Sequence, residues 1–271
     1  MLRRFFGYAT AMTPRVLGIL NLTPDSFSDG GRFASVAQAA DAAHVMIAAG
    51  AAMVDIGGES TRPGAPFVSE AEELARVAPV IDALGGQVPF SIDTRRAAVM
   101  AYALDHGASL VNDVSALTHD PAALSLVAAR GCGVVLMHMV GTPATMQVAP
   151  AYGDVVREVG DWLAERVEAC VAAGIVRTNI TVDPGIGFGK TLDHNLALLR
   201  GLRTLGEIAP VMLGASRKAL IGKLTGAETP DRLPGSLALA LHGAATGCAW
   251  VRVHDVAETV QALRVWEALR G

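Results

Sequence analysis

The stretch VPFSIDTRRAAVMAYALDHGASLVND (residues 88–113) shows the alternation that decides the fold. Two short apolar runs of strand-like composition, 88–93 and 108–113, flank a longer segment with helical spacing of its apolar residues. Gly107 stands where that helix would end, in the position of a left-handed C-terminal cap. The stretch therefore predicts a strand, a helix and a second strand, and each strand ends in polar residues, Asp93 in the first and Asn112 and Asp113 in the second.

The same unit repeats along the whole chain. Eight strand-like runs alternate with helical segments, of which 154–173 and 256–269 have the clearest apolar stripes. Asp120 and Pro121 are expected to open the helix that precedes Gly131. Like Gly107, the glycines Gly50, Gly131 and Gly174 are expected to end helices as left-handed caps. This order predicts an α/β fold, a single-domain (β/α)8 TIM barrel of 15–271 after an N-terminal lead segment, 1–14. The alternative is an open doubly wound sheet, but the linker that such a long sheet usually has is missing. The eight runs are 15–21, 52–57, 88–93, 108–113, 133–138, 178–183, 209–215 and 248–254.

The composition excludes several classes of protein. Of the 271 residues, 51% are hydrophobic and 18% are charged, which excludes intrinsic disorder. The net charge of −4 argues against broad neutralisation of nucleic-acid phosphates. Cys132, Cys170 and Cys248 are too far apart for a disulfide framework or a zinc motif, and no apolar run reaches the roughly 18–20 residues of a membrane span. We expect a soluble, cytoplasmic protein with neither nucleic acid nor membrane as a partner.

Polar or ionisable residues stand at the C-terminal end of each of the eight predicted strands. In a (β/α)8 barrel the active site is built from residues at the C-terminal ends of the strands. The residues found there include cations suited to an anion, together with carboxylates and an amide that can accept from a donor edge. They indicate a site for an anionic, phosphorylated nitrogen heterocycle. The cations are Arg62, Lys218, Arg252 and His254, and the acceptors are Asp93, Asn112 and Asp183.

The glycine-rich run DPGIGFGKT (183–191) matches neither common nucleotide motif. A Walker A loop needs Gly at position 184, which is Pro, and the GxGxxG pattern needs Gly at 190, which is Lys. We interpret the glycines as allowing a loop to approach a flat ligand closely, with a merely mobile loop as the alternative. The seven histidines show no metal-binding spacing, and no GxSxG elbow of a serine hydrolase is present.

Eight long motifs make the chain resemble the dihydropteroate synthase family over nearly its whole length. The matching segments are GILNLTPDSFSDGG (18–31), VDIGGESTRPG (54–64), SIDTRR (91–96), LVNDVSAL (110–117), LMHMVGTPATMQ (136–147), VDPGIGFGKT (182–191), LGASRKALIG (213–222) and RVHDVAET (252–259). Small departures from the family pattern stand at Leu22, Ile186 and Ala215. The resemblance implies condensation of 6-hydroxymethyl-7,8-dihydropterin pyrophosphate with p-aminobenzoate, giving 7,8-dihydropteroate and pyrophosphate in folate biosynthesis.

The resemblance also implies three subsites and a metal ion. The implied pterin site consists of Asp93, Asn112, Met137, Asp183, Phe188, Gly214 and Lys218. The implied pyrophosphate site consists of Asn21, Arg62, Arg252 and His254, with Mg2+ near Asn21. The implied p-aminobenzoate site consists of Phe27, Thr61, Pro63, Ser216 and Arg217, under two loops (22–34 and 59–67) that close over it. Asp93, Lys218, Arg252 and His254 are the expected catalytic residues.

Three other functions compete with this expectation. A methyltetrahydrofolate-dependent methyltransferase shares the Asp and Asn pterin pocket but has no need of a pyrophosphate site. A catalytically silent pterin-binding paralogue should have lost anion-binding or loop residues. A phosphosugar isomerase needs an acid–base pair, for which only His138 and Glu59 are available at strand ends. We also expect a homodimer, because the helices predicted at 192–205 and 234–247 carry Leu and Ala on more than one face.

Overall fold

A computed structural model of the chain describes residues 13–22, 35–61, 64–141, 146 and 150–270. Its strands are β1 (Arg15–Asn21), β2 (Met53–Gly57), β3 (Phe90–Asp93), β4 (Leu110–Asp113), β5 (Gly133–Met137), β6 (Ile180–Asp183), β7 (Met212–Leu213) and β8 (Trp250–Val253). They form one parallel sheet in the order β6-β5-β4-β3-β2-β1-β8-β7. A bridge between Val182 and Val211 joins the two ends of that order. The sheet is therefore a nearly closed barrel, which confirms the predicted fold.

Helices follow the strands and surround the barrel. They are α1 (Val36–Ala48), α2 (Glu70–Leu84), α3 (Ala97–Asp105), α4 (Ala123–Arg130), α5 (Val155–Ala172), α6 (Leu192–Arg200), α7 (Leu202–Leu205), α8 (Ala219–Thr225), α9 (Leu233–Thr246) and α10 (Val256–Ala268). Ser69 starts α2 with a capping box, in which its side chain and that of Glu72 bind each other's backbone. The predicted C-terminal glycines all have positive φ, at Gly50, Gly107, Gly131 and Gly174.

Two predicted helix boundaries differ from the structure. Asp120 and Pro121 do not begin a helix, because the Asp120 carboxylate accepts from the backbone N of Ala122 and of Ala97, and α4 begins only at Ala123. The helix predicted over 192–205 is divided at Gly201. A Cβ there would lie 2.7 Å from a methyl carbon of Val156 in α5, so α5 approaches the chain too closely for another residue.

Alternate residues of each strand face opposite sides of the barrel wall. One set, which includes Leu20, Ile56 and Ile92, packs with the helices in the main hydrophobic core. The other set faces the barrel interior, where a separate apolar cluster forms. We name this cluster the floor; it consists of Leu17, Met53, Leu110, Val135, Met212 and the partly buried Trp250. The floor fills the barrel on the N-terminal side of the strand ends.

Residues 1–12 and 23–34 lie outside the described residues. The division into a lead segment, 1–14, and a barrel domain, 15–271, therefore stays a prediction. In the described part of the chain, no helix has both the length and the hydropathy that a membrane crossing requires.

Candidate active site

The interior of the barrel becomes polar above the floor. Because side chains on one face of a strand recur every second residue, the residue two positions after a floor residue faces the same side. The register places Asn21, Gly57, Asp93 and Asn112 as consecutive partners across β1 to β4. The structure thus brings predicted site residues together at the C-terminal mouth: Asn21, Asp93, Asn112, Met137, Asp183, Gly214 and Arg252.

Arg252 reaches across the interior from β8 to carboxylates on β2 and β3. Its Nε donates to Asp55 Oδ2 at 2.6 Å, and its Nη2 donates to Asp93 Oδ2 at 2.7 Å. Asp55 also accepts from Asn112 Nδ2 at 2.9 Å and from the Ser91 hydroxyl. We call these five residues the Arg252 network. The two carboxylates accept from Nε and from one N–H of Nη2, so these bonds leave Nη1 and the second N–H of Nη2 for an anion.

Asp55 is the functional residue that the sequence analysis missed. It lies inside β2 rather than at its end, and it is completely buried. The sequence does contain a signal for Asp55. It stands two residues before Gly57, so the alternation of the strand places it on the same inward face. A buried carboxylate there requires a hydrogen-bonded or charged partner. The partner, Arg252, is 197 residues away in the sequence.

Burial and charge shift the pKa values of the acidic groups at the mouth. Burial raises the pKa of Asp93 to about 7, in spite of the opposing charge of Arg252, and the nearby Asp55 carboxylate adds to the increase. Burial likewise raises the pKa of Asp183, against the opposing effect of Lys218. Although burial alone would lower the pKa of Arg252, the two carboxylates of its network raise it, so this side chain stays a cation.

The segment 184–190, which we call the glycine loop, follows β6 at the mouth. Gly185, Gly187 and Gly189 have positive φ values of 67°, 86° and 62°. A Cβ on Gly185 would lie 2.0 Å from the backbone O of His138, so no other residue fits. The close approach seen here is between two parts of the chain, and the predicted approach to a flat ligand stays a prediction.

Lys218 and Asp183 each form a hydrogen bond with the backbone of this loop. The Asp183 Oδ1 accepts from the Gly185 N at 2.7 Å, which fixes one side of the carboxylate. The Lys218 amine donates to the backbone O of Ile186 and lies 4.6 Å from the centre of the Phe188 ring. Burial lowers the pKa of Lys218 to about 8, although the charge of Asp183 opposes that decrease. The loop thus binds both an acceptor, the Asp183 carboxylate, and a donor, the Lys218 amine, and the amine lies over an aromatic face.

Ser216, two residues before Lys218, is in contact with His254, which follows β8. The Ser216 Oγ accepts from the His254 N at 3.2 Å and lies 3.0 Å from His254 Nδ1. Arg217, with φ of 56°, turns its side chain to Asp255 and donates from Nε at 3.0 Å and from Nη2. The predicted p-aminobenzoate and pyrophosphate residues are therefore direct neighbours here.

Glu59 and His138 have environments that do not suit an acid–base pair. Glu59 accepts from both Arg95 and Arg96, and although burial would raise its pKa, these hydrogen bonds lower it. Burial, together with the charge of Lys190, lowers the pKa of His138 to about 3. Near neutral pH Glu59 is therefore an ionised carboxylate bound to two arginines, and His138 is a neutral imidazole in contact with Lys190, so cations of the chain already engage both groups.

Three predicted site residues, Phe27, Arg62 and Pro63, lie outside the described residues, so their positions stay predictions. Thr61 is described, half-buried, in the segment that follows β2. Asn21 is half-buried at the end of β1. In the described part of the chain, no group of three His, Cys, Asp or Glu could hold a metal ion. The Asn21 amide oxygen is nevertheless a ligand that suits Mg2+ when phosphate oxygens and waters supply the rest.

Comparison with known proteins agrees with the geometry of this mouth. Residues 17–254 match the family described as pterin binding enzyme. The chain is 50% identical over 264 residues to the dihydropteroate synthase of Neisseria meningitidis serogroup B (strain ATCC BAA-335 / MC58), covering 94% of this chain and 93% of that protein. The chain belongs to the dihydropteroate synthase family. The resemblance found in its motifs, and the transferase class which that resemblance implies, are confirmed.

Solved structures of dihydropteroate synthases share the whole barrel. The Yersinia pestis enzyme, in a sulfonamide drug complex, has a TM-score of 0.90 and 47% identity, covering 95% of this chain and 94% of that one. The Xanthomonas albilineans enzyme with 4-aminobenzoic acid has a TM-score of 0.89 and 48% identity, covering 96% of this chain and 94% of that one. These similarities favour a dihydropteroate synthase over the methyltransferase alternative.

Proposed function

We propose that this chain condenses 6-hydroxymethyl-7,8-dihydropterin pyrophosphate with p-aminobenzoate at the mouth of its barrel, giving 7,8-dihydropteroate and pyrophosphate. One observation carries the assignment of roles: the Arg252 network holds a cation suited to the leaving group beside acceptors suited to the pterin. The 50% identity to a dihydropteroate synthase supports the choice of reaction.

The pterin is proposed to bind between Asp183 and Lys218. The Asp183 carboxylate accepts from the exocyclic amino group and a ring NH, and the Lys218 amine donates on the side of the ring carbonyl. Asn112 presents its carbonyl oxygen to the ligand, since its Nδ2 is already bound to Asp55 at 2.9 Å. Gly214 has no Cβ and so leaves room beside Asp183, because a Cβ at this position would lie 3.3 Å from Asp183 Oδ2. Met137, Phe188 and Gly214 line this pocket.

Departure of pyrophosphate is the step that needs charge stabilisation. The bond between the exocyclic methylene and the bridging oxygen breaks, and its electron pair leaves with pyrophosphate. The ring nitrogens delocalise the resulting positive charge, and the ionised form of Asp93 stabilises it. Arg252, His254 and Arg62 neutralise the leaving group. Asn21 would help to hold Mg2+ beside the phosphates, and the bound ion would supply additional positive charge to the leaving oxygens.

The amine of p-aminobenzoate then attacks the methylene carbon. A carbon–nitrogen bond forms, and the nitrogen gives up one proton to water. No strong base is required, because an aromatic amine is already neutral and nucleophilic near pH 7. Phe27, Thr61, Pro63, Ser216 and Arg217 are the proposed site for this substrate. The contact between Ser216 and His254 supports this placement, since it makes the two subsites adjacent.

The reaction can be tested by mixing the chain with both substrates and Mg2+ and measuring pyrophosphate release. Release that depends on both organic substrates supports the proposal, and its absence would favour a silent pterin-binding paralogue. We expect Arg252→Ala to lower kcat/KM by about 100-fold or more, because loss of one electrostatic stabiliser costs about 2.7–4 kcal/mol. Arg177→Ala, at an exposed pair with Glu168, is the matched control. Circular dichroism checks folding, and near-normal turnover by Arg252→Ala would reject this anion site.

A cytoplasmic location and a homodimer complete the proposal. Cys132, Cys170 and Cys248 are free thiols, which suits a reducing compartment. Leu239 and Leu241 of α9 pack only partly against the core, which suits an additional apolar contact from a second copy. Light scattering on the purified chain would distinguish a dimer from a monomer.

A further inference from the structure

Two of the three lysines in the sequence meet at the glycine loop. The lysines are Lys190, Lys218 and Lys223. Lys218 has a role in the proposed reaction, and Lys223 is exposed on α8. Lys190 is 3% exposed and has no role in the steps above. A side chain as costly to bury as lysine is rarely found inside a protein without a specific set of partners.

Lys190 binds the loop to the end of β5. Its Nζ donates to the backbone O of Phe188 at 2.9 Å and to the backbone O of His138 at 3.3 Å. It also lies 3.0 Å from His138 Nδ1. A charged amine needs that nitrogen as an acceptor, which places the hydrogen of the neutral imidazole on Nε2. The His138 ring is itself held edge-on against Trp162, with 5.0 Å between ring centres.

The same loop sets the position of Lys218. Its two contacts there are with the backbone O of Ile186 and the face of the Phe188 ring. Phe188 is also the residue whose backbone O accepts from Lys190. A short chain of contacts therefore runs from the buried amine of Lys190 through Phe188 to the amine of Lys218.

We propose that Lys190, together with His138, is a positioning residue that holds the glycine loop in the shape that orients Lys218 toward the pterin. This inference rests on the proposed function, because it assigns Lys218 to the pterin site. A simple role in the core would instead change stability without changing the affinity for one substrate over the other.

The test is a double-mutant cycle in which calorimetry measures the binding of the pterin pyrophosphate. p-Aminobenzoate is left out so that no turnover occurs. We expect Lys190→Met to weaken this binding at least 10-fold. In a Lys218→Met background the same change should weaken it less than 3-fold, because the group that Lys190 positions is gone. Lys223→Met is the matched control and should bind like the wild type. Equal penalties in both backgrounds, or no penalty at all, would overturn the proposal.

Steady-state kinetics adds a readout that a purely structural role would not move. In Lys190→Met the KM for the pterin substrate should rise at least 10-fold, while the KM for p-aminobenzoate, measured at saturating pterin, should stay within 2-fold. A proportional change in both constants would argue against positioning. If the Met variant does not fold, Lys190→Ala, which also lacks a donor, replaces it in both experiments with the same expected results. Because binding is measured without turnover, absence of the synthase reaction and failure of this inference give different results.

Discussion

Replacing Asp55 by Asn tests whether the charge of this buried side chain holds Arg252 in place. The change keeps the shape of the side chain and removes its negative charge. Asp55 accepts one charge-assisted hydrogen bond from Arg252, and such bonds contribute about 1.5–3 kcal/mol. Arg252 keeps its second bond, to Asp93, so the loss should be limited to that amount. Without that bond, returning Arg252 to its position for the leaving group costs up to the same free energy. We therefore expect kcat/KM to fall by as much as about 10- to 150-fold, at about 1.4 kcal/mol for each factor of ten.

Pyrophosphate release measures this loss, and urea unfolding measures the accompanying change in stability. The free energy of unfolding should fall by a similar amount, about 1.5–3 kcal/mol, since the bond is also present in the free enzyme. Asp105→Asn makes the same chemical change at an exposed pair with Arg130 and should leave both quantities unchanged. Wild-type kcat/KM in the Asp55→Asn variant would refute the reasoning, because Arg252 would then need no partner on β2.

Three further predictions concern the loop and the buried titratable groups. Gly185→Ala should lower the free energy of unfolding more than Gly174→Ala does, and urea unfolding of both variants measures the difference. Both positions have a positive φ, but only at Gly185 would the added Cβ meet the backbone, 2.0 Å from the His138 O. Burial lowers the pKa of Lys190 to about 7, so one lysine side-chain NMR signal should titrate near neutral pH. That signal should be missing from the spectrum of Lys190→Met. The prediction would be wrong if every lysine signal titrated well above pH 8. Burial raises the pKa of Asp93 from 3.8 to about 7, so between about pH 4 and 7 the folded state holds a proton that the unfolded state has lost. The Asp93 contribution to stability should therefore decrease as the pH rises through that range, and Asp93→Asn should flatten the curve of unfolding free energy against pH.

Most of the fold could be predicted because a barrel repeats one local unit. Strand composition and glycine caps are local signals, and the strand-end rule then gathered Asp93, Asn112 and Asp183 at one mouth without any knowledge of contacts. The break at Gly201 was not predictable in this way. It depends on the close approach of Val156, which belongs to another helix.

The partners of the charged groups were harder to predict than their location. Arg252 and Asp55 are separated by 197 residues, and only the closed barrel brings them together. The run around Lys190 fails the Walker A pattern because position 184 is Pro, so no role was predicted for this side chain. Its actual partners include the backbone oxygens of Phe188 and His138, and backbone groups leave no trace in a sequence pattern.

The floor has a consequence for how molecules enter and leave. Leu17, Met53 and Val135 help to fill the interior beneath the Arg252 network, and the Arg15 guanidinium stacks on Trp250 at 4.1 Å from the ring centre. In the described part of the barrel this leaves the mouth as the way in and out. Both substrates and both products must then cross the same rim. If the pterin binds between Asp183 and Lys218 as proposed, an inhibitor bound at that rim should trap it there and slow its dissociation.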